Sequence, residues 1–183
     1  QLTTILKTKT AQGLVPNFWQ PQSVSYDRTE PAIGARVLSE MHAKYGDDWV
    51  VALLYEDCYD WLDWFWRRRR EPPLGLIALG SDPYPNTDTS DTMQAARYES
   101  GLDNSPMYDC DGEALFNATS HHMQLYDVGM SSMVAMELSK LANLSLHAFD
   151  PPRKADAALL TSRANELRGL IRDHLWDDEI GAF

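Results

Sequence analysis

Residues Asp48 to Arg70 run DWVVALLYEDCYDWLDWFWRRRR, and the order of apolar side chains in them is helical. Val50, Leu54, Cys58, Trp61 and Phe65 recur at steps of four and three, which lines one face of an α-helix. Asp47 or Asp48 stands where an N-cap is wanted, and the arginines Arg67 to Arg70 sit at the carboxyl end, where the dipole favours cations. That basic run reads as a solvated helix end, and Trp61, Trp64 and Trp66 read as packing between helices. The same periodicity recurs on either side. After Pro31, residues Ile33, Val37 and Met41, with Leu38 beside them, form a stripe ending near Gly46. Met130, Met133, Val134, Leu138 and Leu141 share one face of a helix from Gln124 to about Leu144. Leu160, Ala164, Leu167, Ile171 and Leu175 do so from about Arg153 to Trp176, with Pro151 and Pro152 marking the start. Leu74 to Leu79 is the only short candidate strand. The expected fold class is all-α, with about four long helices in two antiparallel hairpins, because short turns between helices make antiparallel neighbours.

The remaining connections are long. Gln12 to Pro31 is loop-like yet carries Phe18, Trp19 and Tyr26. Glu71 to Met123, about fifty residues, is rich in Gly, Pro, Asp, Asn and Ser. Irregular segments of that length inside a compact domain carry function more often than not. Long decorated loops alternate with short plain turns, which puts the loops at one end of the hairpins, where a site is expected.

Composition narrows the function classes. The chain has 183 residues, 44% hydrophobic and 23% charged, which excludes a disordered chain. Lys plus Arg is 16 against 27 Asp plus Glu, a formal net charge of −11; a phosphate-backbone binder needs the opposite balance, so nucleic acid is not an expected partner. No run approaches the ~18 apolar residues of a membrane span. The first residue is glutamine rather than methionine, as at a processed or cut end. Cys58 and Cys110 allow at most one disulfide, and whether they pair is left open. His121 and His122 are adjacent and would diverge by ~100° on a helix, and the acidic run from Asp82 to Asp91 lacks EF-hand spacing. No metal and no cofactor is expected, and no Walker loop, dinucleotide fingerprint or nucleophilic triad order occurs. Sequons at Asn117 and Asn143, with the acidic, Trp-rich composition, point to glycosylation and to a secreted protein or one in the secretory pathway; a cytoplasmic location is the alternative.

The densest polar cluster is Tyr98-Glu99-Ser100-Gly101-Leu102-Asp103-Asn104-Ser105-Pro106-Met107-Tyr108-Asp109. Carboxylates, an amide, aromatic rings and a glycine in one short segment suit sugar chemistry. One carboxylic acid protonates the glycosidic oxygen, a second carboxylate activates water, and aromatic faces pack on sugar rings. On residue types alone, a turn-rich surface loop with helix caps is an equally ordinary reading.

This segment closely resembles the Trp-Glu-Ser-Gly-x-Asp-Asn-Ser-Pro-x-Trp/Tyr-Asp signature of the glycoside hydrolase family 63 and mannosylglycerate hydrolase-like clan. Gly13-Leu14-Val15-Pro16-Asn17-Phe18 is similar to that clan's Gly-hydrophobic-Val/Leu-Pro-Asn loop. Asp27-Arg28-Thr29-Glu30-Pro31 resembles its Asp-Arg-Ser/Thr-Gln-Pro segment, with glutamate here in place of glutamine. Tyr126-Asp127 before a Met/Ala/Ser-rich helix and Leu175-Trp176-Asp177 with Gly181 also match, in the clan's order. The resemblance implies part of an (α/α)6 barrel, with residues 1–183 as a single-domain fragment of the catalytic barrel whose partner is the remainder of that barrel. It implies an exo-acting, inverting α-glycosidase acting on a glucoside or mannoside. Asp103 matches the general acid, its pKa to be raised by burial or by Glu99 and Asp109, and the base falls on a C-terminal part that this sequence lacks. Glu99 suits an orienting role better than a catalytic one. Asn17, Phe18, Arg28, Glu30, Tyr98, Glu99, Gly101, Asn104, Tyr108 and Asp127 match positions around the carbohydrate substrate, although Arg28 also suits pairing with a local acid and Asp127 also suits capping its helix. The contrasting expectation is a non-catalytic helical module that binds a carbohydrate or a protein.

Overall fold

Four long helices follow from the apolar stripes. In the computed structural model, which describes residues 1–85, 89–109 and 116–183, they are α2 (Gly34–Tyr45), α3 (Asp48–Arg68), α5 (Val128–His147) and α6 (Lys154–His174), with short helices α1 (Leu2–Leu6) and α4 (Met93–Tyr98) between loops. α2 ends at Gly46, whose φ of 69° closes the turn into α3 as glycine most readily does. Asp47 occupies the N-cap of α3 but its side chain makes no capping bond; the neighbouring Asp48 carboxylate takes His42 Nε2 at 2.6 Å instead. α5 is capped as expected: Asp127 Oδ1 accepts the Met130 N–H at 2.7 Å.

The two hairpins share one core. α5 packs along α6 and beside α2, and α3 lies against both α2 and α5. Leu54, Cys58, Trp61 and Phe65 of α3 are buried in one core with Val134, Leu138 and Leu141 of α5 and Leu160, Ala164 and Leu167 of α6. On α2 the buried face is Gly34, Ala35 and Leu38, whereas Ile33 and Met41 of the expected stripe are exposed. The small residues allow the close approach: a Cβ on Gly34 would stand 3.2 Å from Cys58 Sγ. Cys58 is buried and free, with burial raising its thiol pKa. Cys110 lies outside the described residues, as does Asp88 of the acidic run.

The chain is not purely all-α. About half of it is helical, and two small antiparallel sheets fill the long connections. β1 (Trp19–Gln20) pairs with β2 (Ser23–Val24), and β3 (Arg70–Glu71), β4 (Leu76–Gly80), β6 (His122–Tyr126) and β5 (Phe116–Asn117) form a second sheet in that spatial order. β4 is the strand expected from Leu74 to Leu79, and it is buried along its whole length. β6 replaces the first turn expected of the third helix: Ala78 pairs with Tyr126 and Gly80 with His122. The Asp127 N–H then donates to Ile77 O at 2.9 Å, so helical geometry begins only past this cap. Pairing with a strand some forty positions earlier satisfies these backbone groups, and local periodicity does not report it. Among the described residues, no helix is long and apolar enough to cross a membrane.

Candidate active site

Both decorated loops meet at the amino ends of α2 and α5. Asn17 Nδ2 donates to Tyr98 O at 3.3 Å, and the Thr29 N–H donates to Glu99 Oε1 at 3.0 Å. The junction is organised around Glu99, which is fully buried. Its Oε2 accepts Arg69 Nε at 2.7 Å and the Gly80 N–H at 2.8 Å. One carboxylate thus ties the end of α4 to the Gly13–Pro31 loop and to the end of β4. Burial raises the Glu99 pKa, opposed by the Arg69 charge and the three N–H donors. Burial likewise works against the Arg69 charge, and Glu99 and Asp82 more than restore it.

Arg69 corrects the sequence reading of the basic run. It is fully buried, packs over Trp64 at 4.6 Å and reaches Asp82 at 3.3 Å, so one of the four arginines is an interior ion-pair partner and not a solvated helix end. Glu99 is corrected in one respect too. It is fully buried among Thr29, Arg69 and Gly80, so it holds the loops in place, in line with the orienting role.

Outside this junction lies a hollow of about 510 Å³, lined by α1, by Pro16 to Trp19, by Glu30, Pro31 and Ile33, and by Trp61. Asn17 is fixed on both sides: its Nδ2 donates to Glu30 Oε1 at 2.7 Å, and its Oδ1 accepts Arg28 Nε at 3.3 Å. Arg28 is itself bound to Asp27 at 2.7 Å and clasped between the rings of Phe18 and Tyr98, 5.8 and 5.0 Å from its guanidinium carbon. Of the two alternatives for Arg28, the structure shows the pairing with a local acid, Asp27. Burial raises the Glu30 pKa, the charge of Asp103 raises it further, and Arg28 opposes both. Pro31, next to Glu30, packs against Gly101, two residues before Asp103.

Asp103 and Asn104 are exposed on the loop after Gly101, whose φ of 68° makes the bend and over which Pro31 packs. The carboxylates expected to tune Asp103 are engaged elsewhere, Glu99 with Arg69 and Asp109 with Arg97 at 2.8 Å. Tyr108, expected to stack on a sugar, is fully buried; its hydroxyl donates to Asp127 Oδ2 at 3.0 Å, and burial pushes its pKa up to about 12. Asp127 is buried as both the acceptor for Tyr108 and the cap of α5. Both belong to the frame beneath the Asp103 loop, around a smaller cavity of about 210 Å³.

Sequence reasoning missed three contributors. Trp61 lines the hollow as well as the core, and its Nε1 donates to Thr29 Oγ1 at 2.8 Å. Trp19 is 59% exposed at the rim; an exposed Phe-Trp pair in a proline-bounded loop was the available signal. Glu137, buried in the middle of α5, accepts the Ala35 N–H at 2.7 Å and the Arg36 N–H at 3.1 Å, capping α2 from a neighbouring helix. Burial, opposed by those N–H groups, pushes its pKa up to about 7. Among the described residues, no three His, Cys, Asp or Glu side chains gather closely enough to hold a metal ion. His121 lies in a turn against Asp91, and His122 opens β6 against Glu71. Asn117 is half-buried with its Oδ1 accepting the Thr119 N–H, and Asn143 is exposed on α5.

Residues 1–183 match the family model of the mannosylglycerate hydrolase MGH1-like glycoside hydrolase domain along their whole length. The chain belongs to this family. The family is one of glycoside hydrolase domains. No curated protein matches it. Among solved structures this glycoside hydrolase domain is similar to an uncharacterized conserved protein from Thermus thermophilus, at 15% identity and a TM-score of 0.67. The match covers 98% of this chain and 52% of that one, so the domain spans about half the length of the solved protein, and at this identity the likeness concerns the fold.

Proposed function

We propose that this chain is the acid-bearing part of the catalytic domain of an exo-acting, inverting α-glycosidase that hydrolyses a glucoside or mannoside. The observation that carries the reading is the convergence of Asn17, Phe18 and Glu30 beside an aromatic hollow, with the Asp103 loop joined to them through the Asn17–Tyr98 bond and the packing of Pro31 on Gly101. Asp103 donates its proton to the departing glycosidic oxygen. Being exposed, it is free to meet a substrate. An inverting mechanism also needs a base about 6.5–9.5 Å from the acid, with water between. The family resemblance puts the base on a part of the barrel outside residues 1–183; within the chain, Glu99, Asp109 and Asp127 are held by Arg69, Arg97 and Tyr108, and Glu30 by the Asn17 amide. The match to half of the Thermus protein supports that division, and the mannosylglycerate in the family's description supports a mannoside.

The second reading, a non-catalytic binding module, is favoured by the exposure of Asp103, since an acid kept protonated near neutrality usually lies buried. The discriminating experiment, on the longer protein that joins this chain to the rest of its barrel, is hydrolysis of methyl α-D-mannopyranoside and methyl α-D-glucopyranoside, followed by proton NMR. The expected first product is the β-anomer, released from the non-reducing end of longer substrates. Absence of turnover with retained sugar binding would support the binding module, and an α-anomer would exclude inversion. We also propose that Asn143 and Asn117 carry glycans in the secretory pathway; an unchanged mass after deglycosylation of the protein from its native source would reject this.

A further inference from the structure

A cavity of about 700 Å³ opens where the carboxyl end of α3 meets the segment from Thr8 to Leu14 and the side chains of Tyr26, Asp82 and Tyr84. That is within the usual size of a small-molecule site, ~300–1,000 Å³. Of its lining, only Thr8 also borders the hollow beside Asn17. In a chain of net charge −11, this cavity has a cationic wall. Arg67 and Arg68 line it, both half-exposed. Arg67 donates Nε to Asp63 at 2.6 Å and Nη2 to the Gln12 carbonyl at 3.0 Å. Arg68 donates Nη2 to Asp82 at 3.2 Å. Nη1 of Arg67, and both Nε and Nη1 of Arg68, have no hydrogen-bond partner among the described residues. Asp63 is not part of the wall, and Asp82 has both oxygens taken, by Arg68 and Arg69. The aromatic part of the lining is Tyr26 and Tyr84, with ring centroids 5.3 Å apart. The same pair borders a second recess of about 480 Å³ beside Pro21 to Val24, so the two rings form a ridge shared by two recesses.

We infer that this cavity is a second carbohydrate site, for a saccharide that carries an acid group. Tyr84 and Tyr26 take an apolar face of the sugar ring, and Arg67 and Arg68 take its carboxylate. A tyrosine offers an apolar face with a polar tip, and a guanidinium offers donors that match a carboxylate. A neutral sugar makes only ordinary hydrogen bonds with this wall, whereas an acidic one adds charge-assisted bonds. At half-exposed arginines such bonds are worth roughly threefold to tenfold in affinity. The site goes beyond the hydrolytic reading, since none of Tyr26, Tyr84, Arg67 and Arg68 belongs to the machinery assigned around Asp103.

The test is ligand-observed NMR on the longer protein containing this chain, at pH 7.5 and low salt, with methyl α-D-glucopyranosiduronate as the probe. Arg68→Gln, at a half-exposed side chain whose partner Asp82 keeps Arg69, should weaken binding of the uronate by at least about threefold. Methyl α-D-glucopyranoside should bind that variant as it binds the parent. Tyr84→Ala, at the 38% exposed ring, should weaken the uronate as well, and Trp19→Ala at the rim of the other hollow should not. Acetate, which has the charge without the ring, should fail to displace the uronate at equal concentration. No binding of the uronate, or binding that Arg68→Gln and Tyr84→Ala leave unchanged, overturns the inference. Loss on Trp19→Ala alone overturns it by placing the uronate in the other hollow, and displacement by acetate overturns it by showing a bare anion site. Turnover of a neutral methyl glycoside should be the same in Arg68→Gln and the parent; a parent without turnover speaks against the hydrolytic reading and leaves this site standing.

Discussion

Glu99→Gln removes one charge from the junction that joins the two site loops, and the geometry sets the cost. Arg69 stays fully buried and loses its 2.7 Å partner. A glutamine carbonyl has room for at most two of the three donors that Glu99 now satisfies, from Thr29, Arg69 and Gly80. Breaking a buried ion pair from one side costs about 3–5 kcal/mol, because an uncompensated charge remains. Asp82, at 3.3 Å from Arg69, keeps part of the compensation, which places the expected loss near the lower end, about 3 kcal/mol. For a chain of this size that lowers the melting temperature by about 6–12 °C. Thermal unfolding followed by circular dichroism at pH 7 reads it. The companion Glu99→Gln/Arg69→Met removes both charges and should recover at least half of the loss, since replacing a buried pair by apolar side chains is often near neutral. A loss below about 1 kcal/mol, the scale of an exposed pair, would show that the buried pair does not hold the loops, as would a double variant no better than the single one.

Other substitutions probe neighbouring parts of the frame. The Glu137 pKa is raised from 4.5 to about 7, so its contribution to stability is present in full below pH 4.5 and lost as pH rises through about 7. Glu137→Gln should flatten the fall of roughly 2–3 kcal/mol between pH 4.5 and 8; urea unfolding at the two pH values measures it, and parallel pH curves for the two proteins would contradict it. Gly13 has φ of 98°, and a Cβ there would stand 2.4 Å from the Asp60 carbonyl oxygen. Gly13→Ala should therefore cost more than about 2 kcal/mol by urea unfolding, and a near-neutral result would place the loop elsewhere. Tyr108→Phe deletes the bond to Asp127 and should cost about 1–2 kcal/mol in the same assay; no measurable loss would show that this bond does not support the Asp103 loop.

The long helices were legible because each buries a stripe at helical spacing, visible within its own residues. β6 was not, since Leu125 and Tyr126 extend the apolar pattern of α5 and only their pairing with β4 makes them a strand. The buried face of α2 was legible in part: small Gly34 and Ala35 suit tight packing and are buried, whereas Ile33 and Met41 of the apolar stripe are exposed. Arg69 looked like its neighbours in the basic run because its partner lies thirty positions away. Glu137 was unreadable in the same way, since the helix end it caps is about a hundred positions upstream. Asn17, Glu30 and Asp103 were legible through motif resemblance, which carries long-range geometry that spacing does not. Burial of Tyr108 and Asp127 was beyond it, because an aromatic ring and a carboxylate near a sugar site serve equally as contacts or as supports.

The account turns on Asp103 as the proton donor, and leaving-group dependence in the longer protein containing this chain measures that role. Asp103→Asn should lower turnover of a methyl α-glycoside by roughly 10² to 10⁴, the usual contribution of general acid catalysis. A 2,4-dinitrophenyl α-glycoside, whose leaving group needs no proton, should lose far less. Equal losses on the two substrates would contradict the assignment of Asp103 as the acid.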